Sequence, residues 1–304
     1  MRVLVTGGAG FLGRALVARL LEVGQDVVVL DNLSSPSPLG VPAGARLVVG
    51  DVIDPPELEG LFTRIYHLAS PASPPRFLSD PIGTLRSGAE GTRRMLDLAA
   101  RWQARFFFTS TSEVYGDPEV HPQSEGYAGA VSLTSSRACY DEAKRYGEAL
   151  VYAYRRAGVV EDSRVARIFN TYGPGMDPGD GRIMSNFLVQ ALQGRALTVY
   201  GDGTQTRSFC YVDDLVDGLI RLADSDHRAP VNLGNPHEVT VTELADLVAA
   251  LVGDTGREYH ELPEGDPQRR RPDITLARRV LGWEPSVTLA AGMERTRAYF
   301  EAVL

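Results

Sequence analysis

Two cysteines in 304 residues, Cys139 and Cys210, leave no disulfide framework and no metal-ligand spacing to read. No apolar run approaches the roughly 18 residues that a membrane-spanning helix needs. The first residues, MRVLVTGG, have the layout of a strand start and not of a signal peptide, so the expected compartment is the cytoplasm. Positive charge is not in excess: 31 Lys+Arg stand against 39 Asp+Glu, a net charge of −8. A general nucleic-acid binder needs a basic face to displace counterions, so that class is excluded. The balance still allows a few arginines to line one anionic small-molecule site. Repeats and low-complexity tracts are also missing. What is present is apolar substance, 43% of the residues, enough for one large packed domain or two interlocked ones.

The front half alternates strand and helix patterns. Strands are predicted at Arg2–Thr6, 26–30, Arg46–Val49, 64–68, 105–109 and 164–169, and helices at 11–23, 88–102 and 141–156. Strands separated by helical stretches imply a doubly wound parallel sheet of Rossmann type, an α/β fold with right-handed crossovers. From Asn170 the pattern loosens: Gly and Pro crowd 172–181, a helix is predicted at 184–193, and 198–209 is polar and Gly-rich. A strand at Val231–Leu233 and helices at 242–252 and 278–281 follow. Prolines mark loops at 36–42 and 71–75. The expected division is 1–169, with 209–235 returning to it, as the cofactor-binding domain. Residues 170–208 and 236–304 form a smaller α/β substrate domain.

The first turn, TGGAGFLG, sets Gly7, Gly10 and Gly13 between a strand and a helix. Glycines permit a tight turn and close approach of the backbone to a pyrophosphate, and the helix N-terminus presents free N–H groups and a favourable dipole. Glycines alone are weak evidence. The acid at the end of the second strand, Asp31 in VVVLDN, makes the signal specific. It can accept both adenosine ribose hydroxyls and repels a 2′-phosphate, which favours NAD over NADP. Asn32 follows it, and Asp51, in GDV after the third strand, is placed to meet the adenine or to cap the strand end. Phe11 and Leu12 at the helix start, Val52, Leu68 at the end of the fourth strand and Ala69 and Ser70 after it join the cofactor set.

RACYDEAKRYGE carries Tyr140 and Lys144 one helical turn apart on one face. An ammonium close to a phenol lowers its pKa and makes it a usable base for a hydroxyl proton. Lys144 can also hold the nicotinamide ribose. Tyr-x-x-x-Lys alone is common, but behind a dinucleotide turn and after the hydroxyl-rich TSTSEVYG it becomes specific. Thr111, Tyr140 and Lys144 then form a hydroxyl, base and cation around one substrate alcohol. Cys139, beside Tyr140, takes no role.

By these motifs the chain resembles the extended short-chain dehydrogenase/reductases that act on nucleotide sugars. Within them it resembles the UDP-glucuronate decarboxylase (UDP-xylose synthase) branch. The matching stretches include YHLASPASPP, STSEVYGDPEVHPQSE, RVARIFNTYGP, DGRIMSNF, LTVYGDGTQTRSF, VNLGNP, DPQRRRPDI and LGWEP. Related 4,6-dehydratases carry Thr-Asp-Glu before Val-Tyr-Gly, where this chain has Thr111, Ser112 and Glu113. Serine is a poor acid for expelling water. The 4-epimerases usually hold small or neutral residues at the place of Glu113.

The resemblance implies oxidation at C4 of UDP-glucuronate by NAD, loss of CO2 from the β-keto acid, and return of the hydride to give UDP-xylose. It ties Glu113 and Arg270 to decarboxylation and reprotonation. Ionised, Glu113 disfavours the substrate carboxylate in the ground state; protonated or water-linked, it manages the C5 proton. Arg270 stands in the run Arg269, Arg270, Arg271. For the substrate the resemblance implies Arg86, Arg137, Asn170, Gln205, Arg207 and Tyr200, the last either stacked on uracil or part of the core. Arg182 is a candidate for the diphosphate or for the cofactor side. One departure is SGAEGT, where Gly88 replaces an Asn whose amide could hold a water near the site. The resemblance also implies a homodimer in which the helices 88–102 and 141–156 pair. A UDP-glucuronate 4-epimerase and a NAD-responsive binding protein are the rival readings.

Overall fold

A computed structural model describes residues 1–262 and 268–304 of the chain. Asp266 and Pro267, the start of the DPQRRRPDI stretch, lie outside the described residues. The strands run β1 (Arg2–Thr6), β2 (Asp26–Asp31), β3 (Arg46–Val49), β4 (Arg64–His67), β5 (Arg105–Thr111), β6 (Ser163–Ile168) and β7 (Thr171–Tyr172). They continue with β8 (Leu197–Tyr200), β9 (Thr206–Ser208), β10 (Cys210–Tyr211), β11 (Val231–Leu233), β12 (Glu238–Thr240), β13 (Arg257–His260) and β14 (Arg269–Arg270). The helices are α1 (Phe11–Glu22), α2 (Pro74–Ser79), α3 (Pro81–Arg86), α4 (Thr92–Trp102) and α5 (Ala138–Arg156), then α6 (Ile183–Leu192), α7 (Val212–Asp224), α8 (Val241–Val252), α9 (Thr275–Leu281) and α10 (Leu289–Val303).

Seven strands form one parallel sheet in the order β11-β6-β5-β4-β1-β2-β3. The order reverses between β1 and β4, the switch point at which such sheets bind ligands beyond the carboxyl ends of their strands. The inner strands are buried on both faces, so they read as continuous apolar runs and not as alternations, while the edge strand β3 is largely exposed. Val3, Val5, Val27, Val29, Tyr66 and Phe107 face one core, and Leu4, Val28, Leu30, Ile65, Phe106 and Phe108 face the other. Burying each such side chain contributes on the order of 1.5–3 kcal/mol. The first core continues without a break into α6, α8 and α10 through Phe187, Leu188, Leu244 and Phe300. Small sheets of β12-β9-β14, β13-β8 and β10-β7 complete the fold.

The structure differs from expectation in places that matter. The fifth strand runs on to Thr111, two residues past the expected 105–109. The expected helix 141–156 begins at Ala138, which takes Tyr140 into its first turn. The expected helix 88–102 is the end of a longer helical run: α3, a π-helical turn at Ser87–Gly91, then α4. A Cβ at Gly88 would stand 2.5 Å from the Ala143 Cβ, so the approach of α5 leaves no room for a side chain there. Among the described residues, no helix is long and apolar enough to cross a membrane.

Candidate active site

A cavity of about 900 Å³ lies over the carboxyl ends of the strands, and every candidate residue of the sequence reading lines it. On the cofactor side, Gly7 adopts φ +71°, and a Cβ there would stand 2.7 Å from the Ala69 nitrogen. The turn therefore packs directly on the Leu68, Ala69 and Ser70 segment. α1 starts at Gly10 with no side-chain cap, so its first turn, with Phe11 and Leu12, faces the cavity with backbone donors. Asp31 accepts from the Ala9 nitrogen at 2.9 Å and from the Leu33 nitrogen at 2.8 Å, which fixes its carboxylate beside the turn. Asn32 donates to Asp51 at 2.8 Å, next to buried Val52. A glycine turn, an uncapped helix start and a carboxylate beyond the second strand fit a dinucleotide with a free 2′-hydroxyl.

The catalytic side is built at the end of β5. Thr111 is extended, and its hydroxyl accepts from the Glu113 nitrogen at 3.3 Å, which starts a 3-10 turn at Ser112–Tyr115. The turn projects Glu113 toward the cavity and buries Ser112. From α5, Tyr140 is brought beside Thr111, whose side chain pulls the phenol pKa down. Lys144 donates to the Thr109 carbonyl at 2.9 Å and lies 6.0 Å from the Tyr140 ring centre.

The expected lowering of the Tyr140 pKa by Lys144 does not hold here. Burial dominates and pushes Tyr140 up to about 12, against a smaller downward pull from Thr111 and Arg182. Burial also brings Lys144 down to about 8. Lys144 is the only lysine in the sequence; the other 30 of the 31 Lys+Arg are arginines. Arginine cannot shed its proton near neutral pH, so the one lysine stands where a shiftable cation is useful.

Glu113 is the electrostatic centre. Its Oε2 accepts from Arg137 at 2.9 Å and from Arg270 at 3.2 Å, and Arg270 also donates to the Ser112 carbonyl at 2.8 Å. Burial alone would raise its pKa, but Arg270, Arg137 and Arg207 together bring it down to about 2. Of the arginine run, Arg270 is the buried one, while Arg269 is exposed and Arg271 turns to Gln123. β14 pairs in parallel with β9, and that register sets Arg270 against Arg207.

On the substrate side, Arg86 ends α3 with its side chain exposed to the cavity, and Asn170 follows β6. Tyr200 is 42% exposed, which removes the core alternative. Gln205 is buried and donates to the Tyr200 carbonyl. Arg182 makes a two-pronged pair with Asp180 and faces Tyr140.

Three residues escape the sequence reading. Phe77 stacks on Tyr140 with ring centres 5.1 Å apart; it follows a proline-rich segment that reads as loop. His67 lies buried between the Thr6 and Thr92 hydroxyls, and burial, then Lys144, push it down to about 3, so it is a neutral support. Asp141 is buried with Oδ1 unpartnered among the described residues. Burial first and Glu113 second push it up to about 7. His67 and Asp141 lie in the YHLASPASPP and RACYDEAKRYGE stretches, but no spacing singles out either of them or Phe77.

Residues 3–234 match the family described as NAD dependent epimerase/dehydratase. The chain belongs to that family. It is 51% identical over 310 residues to UDP-glucuronic acid decarboxylase 1 of Danio rerio, covering 100% of this chain and 73% of that protein. UDP-glucuronic acid decarboxylase 5 of Arabidopsis thaliana is 49% identical, covering 96% of this chain and 87% of its own length. Among solved structures, a UDP-glucose 4-epimerase of Thermotoga maritima with UDP-glucose superposes with a TM-score of 0.91 at 29% identity, covering 100% of this chain and 99% of that one. Fold is thus shared with epimerases, while sequence lies nearer the decarboxylases.

Proposed function

We propose that this chain converts UDP-glucuronate to UDP-xylose and CO2, with NAD recycled in each turnover. The observation that carries the reading is the Glu113 carboxylate, clamped by Arg137 and Arg270 two residues from the Thr111 that stands beside Tyr140. Ser112, where a dehydratase would hold its acid, is a buried neutral hydroxyl.

NAD, held by the glycine turn, Asp31 and Lys144, would supply the acceptor for the C4 hydride and the source of its return, its nicotinamide ring cationic before the first transfer and neutral after it. Tyr140, protonated at rest, would take the C4 hydroxyl proton once the positive charge of the bound cofactor offsets the burial that raises its pKa, and Thr111 would donate to the oxygen that becomes the ketone. The ketone is β to the C6 carboxylate, so loss of CO2 leaves an enolate with its charge on that same oxygen. The hydroxyls of Thr111 and protonated Tyr140 both donate to it there. Glu113, ionised, is an acceptor only and cannot itself be the acid that protonates C5. It orients a water toward C5 instead, with Arg137 and Arg270 holding its oxygen in place.

Arg207 and Arg86 bring positive charge to the diphosphate and sugar, Asn170 and Gln205 contribute amides, and Tyr200 offers its exposed ring to uracil. Residues 1–169 with 209–235 hold NAD, and 170–208 with 236–304 hold the nucleotide sugar. Two copies pair through the helices 88–102 and 141–156, the second of which carries exposed Tyr146. Incubation with UDP-glucuronate, followed by NMR, tests the reading. UDP-xylose with one equivalent of CO2 is expected; UDP-galacturonate with all carbons kept, or NAD binding without turnover, overturns it.

A further inference from the structure

Gln123 belongs to the STSEVYGDPEVHPQSE stretch, yet it does not line the cavity, and it is fully buried. Its contacts converge on the segment that carries Arg270. The Gln123 nitrogen donates to the Arg271 carbonyl at 2.9 Å, and its side-chain Oε1 accepts from the Arg271 nitrogen at 2.8 Å. Both backbone groups of Arg271 are therefore gripped by one residue. The Gln123 carbonyl accepts from the Asp273 nitrogen at 2.8 Å and from Asn232 Nδ2 at 3.0 Å. Its Nε2 donates to the Val120 carbonyl at 2.9 Å.

The other side of the segment is held as well. Arg270 is in register with Arg207 on β9, and the Ser208 hydroxyl donates to the Arg270 carbonyl at 3.2 Å. Asn232, on the last strand of the main sheet, also accepts from the Tyr115 hydroxyl at 2.7 Å. Tyr115 ends the turn that presents Glu113. One buried polar chain, Gln123–Asn232–Tyr115, thus braces both ends of the Arg270–Glu113 contact. The Arg270 guanidinium itself rests on the Ser112 carbonyl and Glu113, while its Nε has no partner among the described residues. Those two bonds tie the guanidinium to the turn, and the course of its main chain decides where along the turn they form. Its place is set by its main chain.

We propose that Gln123 is a positioning residue: its side-chain amide sets where Arg270 stands against Glu113, and so acts on CO2 loss without touching substrate. The proposal rests on the decarboxylase reading of the site. Replacement leaves the main-chain bonds of residue 123 in place, so the fold survives while Arg271 loses its acceptor and the 270–272 backbone is free to shift.

The test is a double-mutant cycle on UDP-glucuronate turnover with Gln123→Met, which keeps length, and Arg270→Ala. Gln123→Met is expected to lower kcat about tenfold and to change KM less than about threefold. Gln123→Glu, which keeps the acceptor for Arg271, is expected to lose less. The double variant is expected to be no slower than Arg270→Ala alone. Effects that multiply, or a Gln123→Met kcat equal to wild type, overturn the proposal. A crystal structure of Gln123→Met gives a reading independent of turnover: Arg270 displaced from Glu113 is expected, and Arg270 unmoved overturns it. Wild-type turnover to UDP-galacturonate would instead sink the decarboxylase reading, and the cycle would still report the coupling in that reaction.

Discussion

Arg270 Nη2 and Glu113 Oε2, 157 residues apart in sequence, meet at 3.2 Å. Arg137 reaches the same oxygen. A carboxylate held by two guanidinium groups stays ionised through the neutral range, so its work is to accept and to orient. Glu113→Ala is therefore expected to slow CO2 release about 100-fold or more while changing UDP affinity less than about threefold. CO2 assay and calorimetry measure the two; equal losses in both would make Glu113 a structural residue.

Lys144 offers an unusually clean measurement because it is the only lysine. Growth on isotope-labelled lysine yields one side-chain signal to follow by NMR. Its titration is expected with a midpoint near about 8, because burial disfavours the ammonium. A midpoint at the ordinary value of about 10.4 contradicts that burial.

Asp141 sets a pH dependence of stability. Its carboxyl titrates at 3.8 by default and at about 7 in the fold, where burial and then Glu113 disfavour the charge. The folded state thus binds the proton more tightly, so stability falls as pH rises from about 4 to about 7. Glu113 has the opposite sign: its contribution is present above its default value of 4.5 and is lost as pH falls toward about 2. Asp141→Asn is expected to melt higher than wild type at about pH 8, with the gap closing toward about pH 4. Melting curves across that range check it; a gap that does not change with pH would assign the effect to packing.

Asp31 decides between the two dinucleotides in this reading. Its carboxylate is fixed by the Ala9 and Leu33 nitrogens, and in the proposed complex it would accept from a ribose hydroxyl. Asp31→Ala is expected to weaken NAD binding at least about tenfold and to narrow the preference over NADP. Competitive titration with both cofactors reads it, and an unchanged preference would place the discrimination elsewhere.

Much of the sheet was legible because its strands are short apolar runs punctuated by Gly and Asp. The same reading passed over α7 and α10. α10 opens on Leu289, Ala290, Ala291 and Gly292, too small on the whole to mark an apolar stripe, and its helix is secured by tertiary burial of Met293 and Phe300. The π-helical turn before α4 was equally invisible, because it answers to the close approach of α5 at Ala143. At the site, the phosphate turn, Asp31, the Thr111-Ser112-Glu113 turn and the Tyr140–Lys144 pair could all be read. Each is a local spacing on one strand end or one helical turn.

The amino-acid order by itself was sufficient for those local devices, since a glycine turn or an i, i+4 pair needs only its own neighbours. Charge states and long-range partners were not contained in it. That Arg270 and not Arg269 or Arg271 meets Glu113 follows from the β14–β9 register and the grip of Gln123. That Glu113 is ionised, Tyr140 protonated and Asp141 poised near neutrality follows from burial and from arginines brought in from distant segments. Electrostatic energy depends on distance and exposure in space, and sequence separation says little about either.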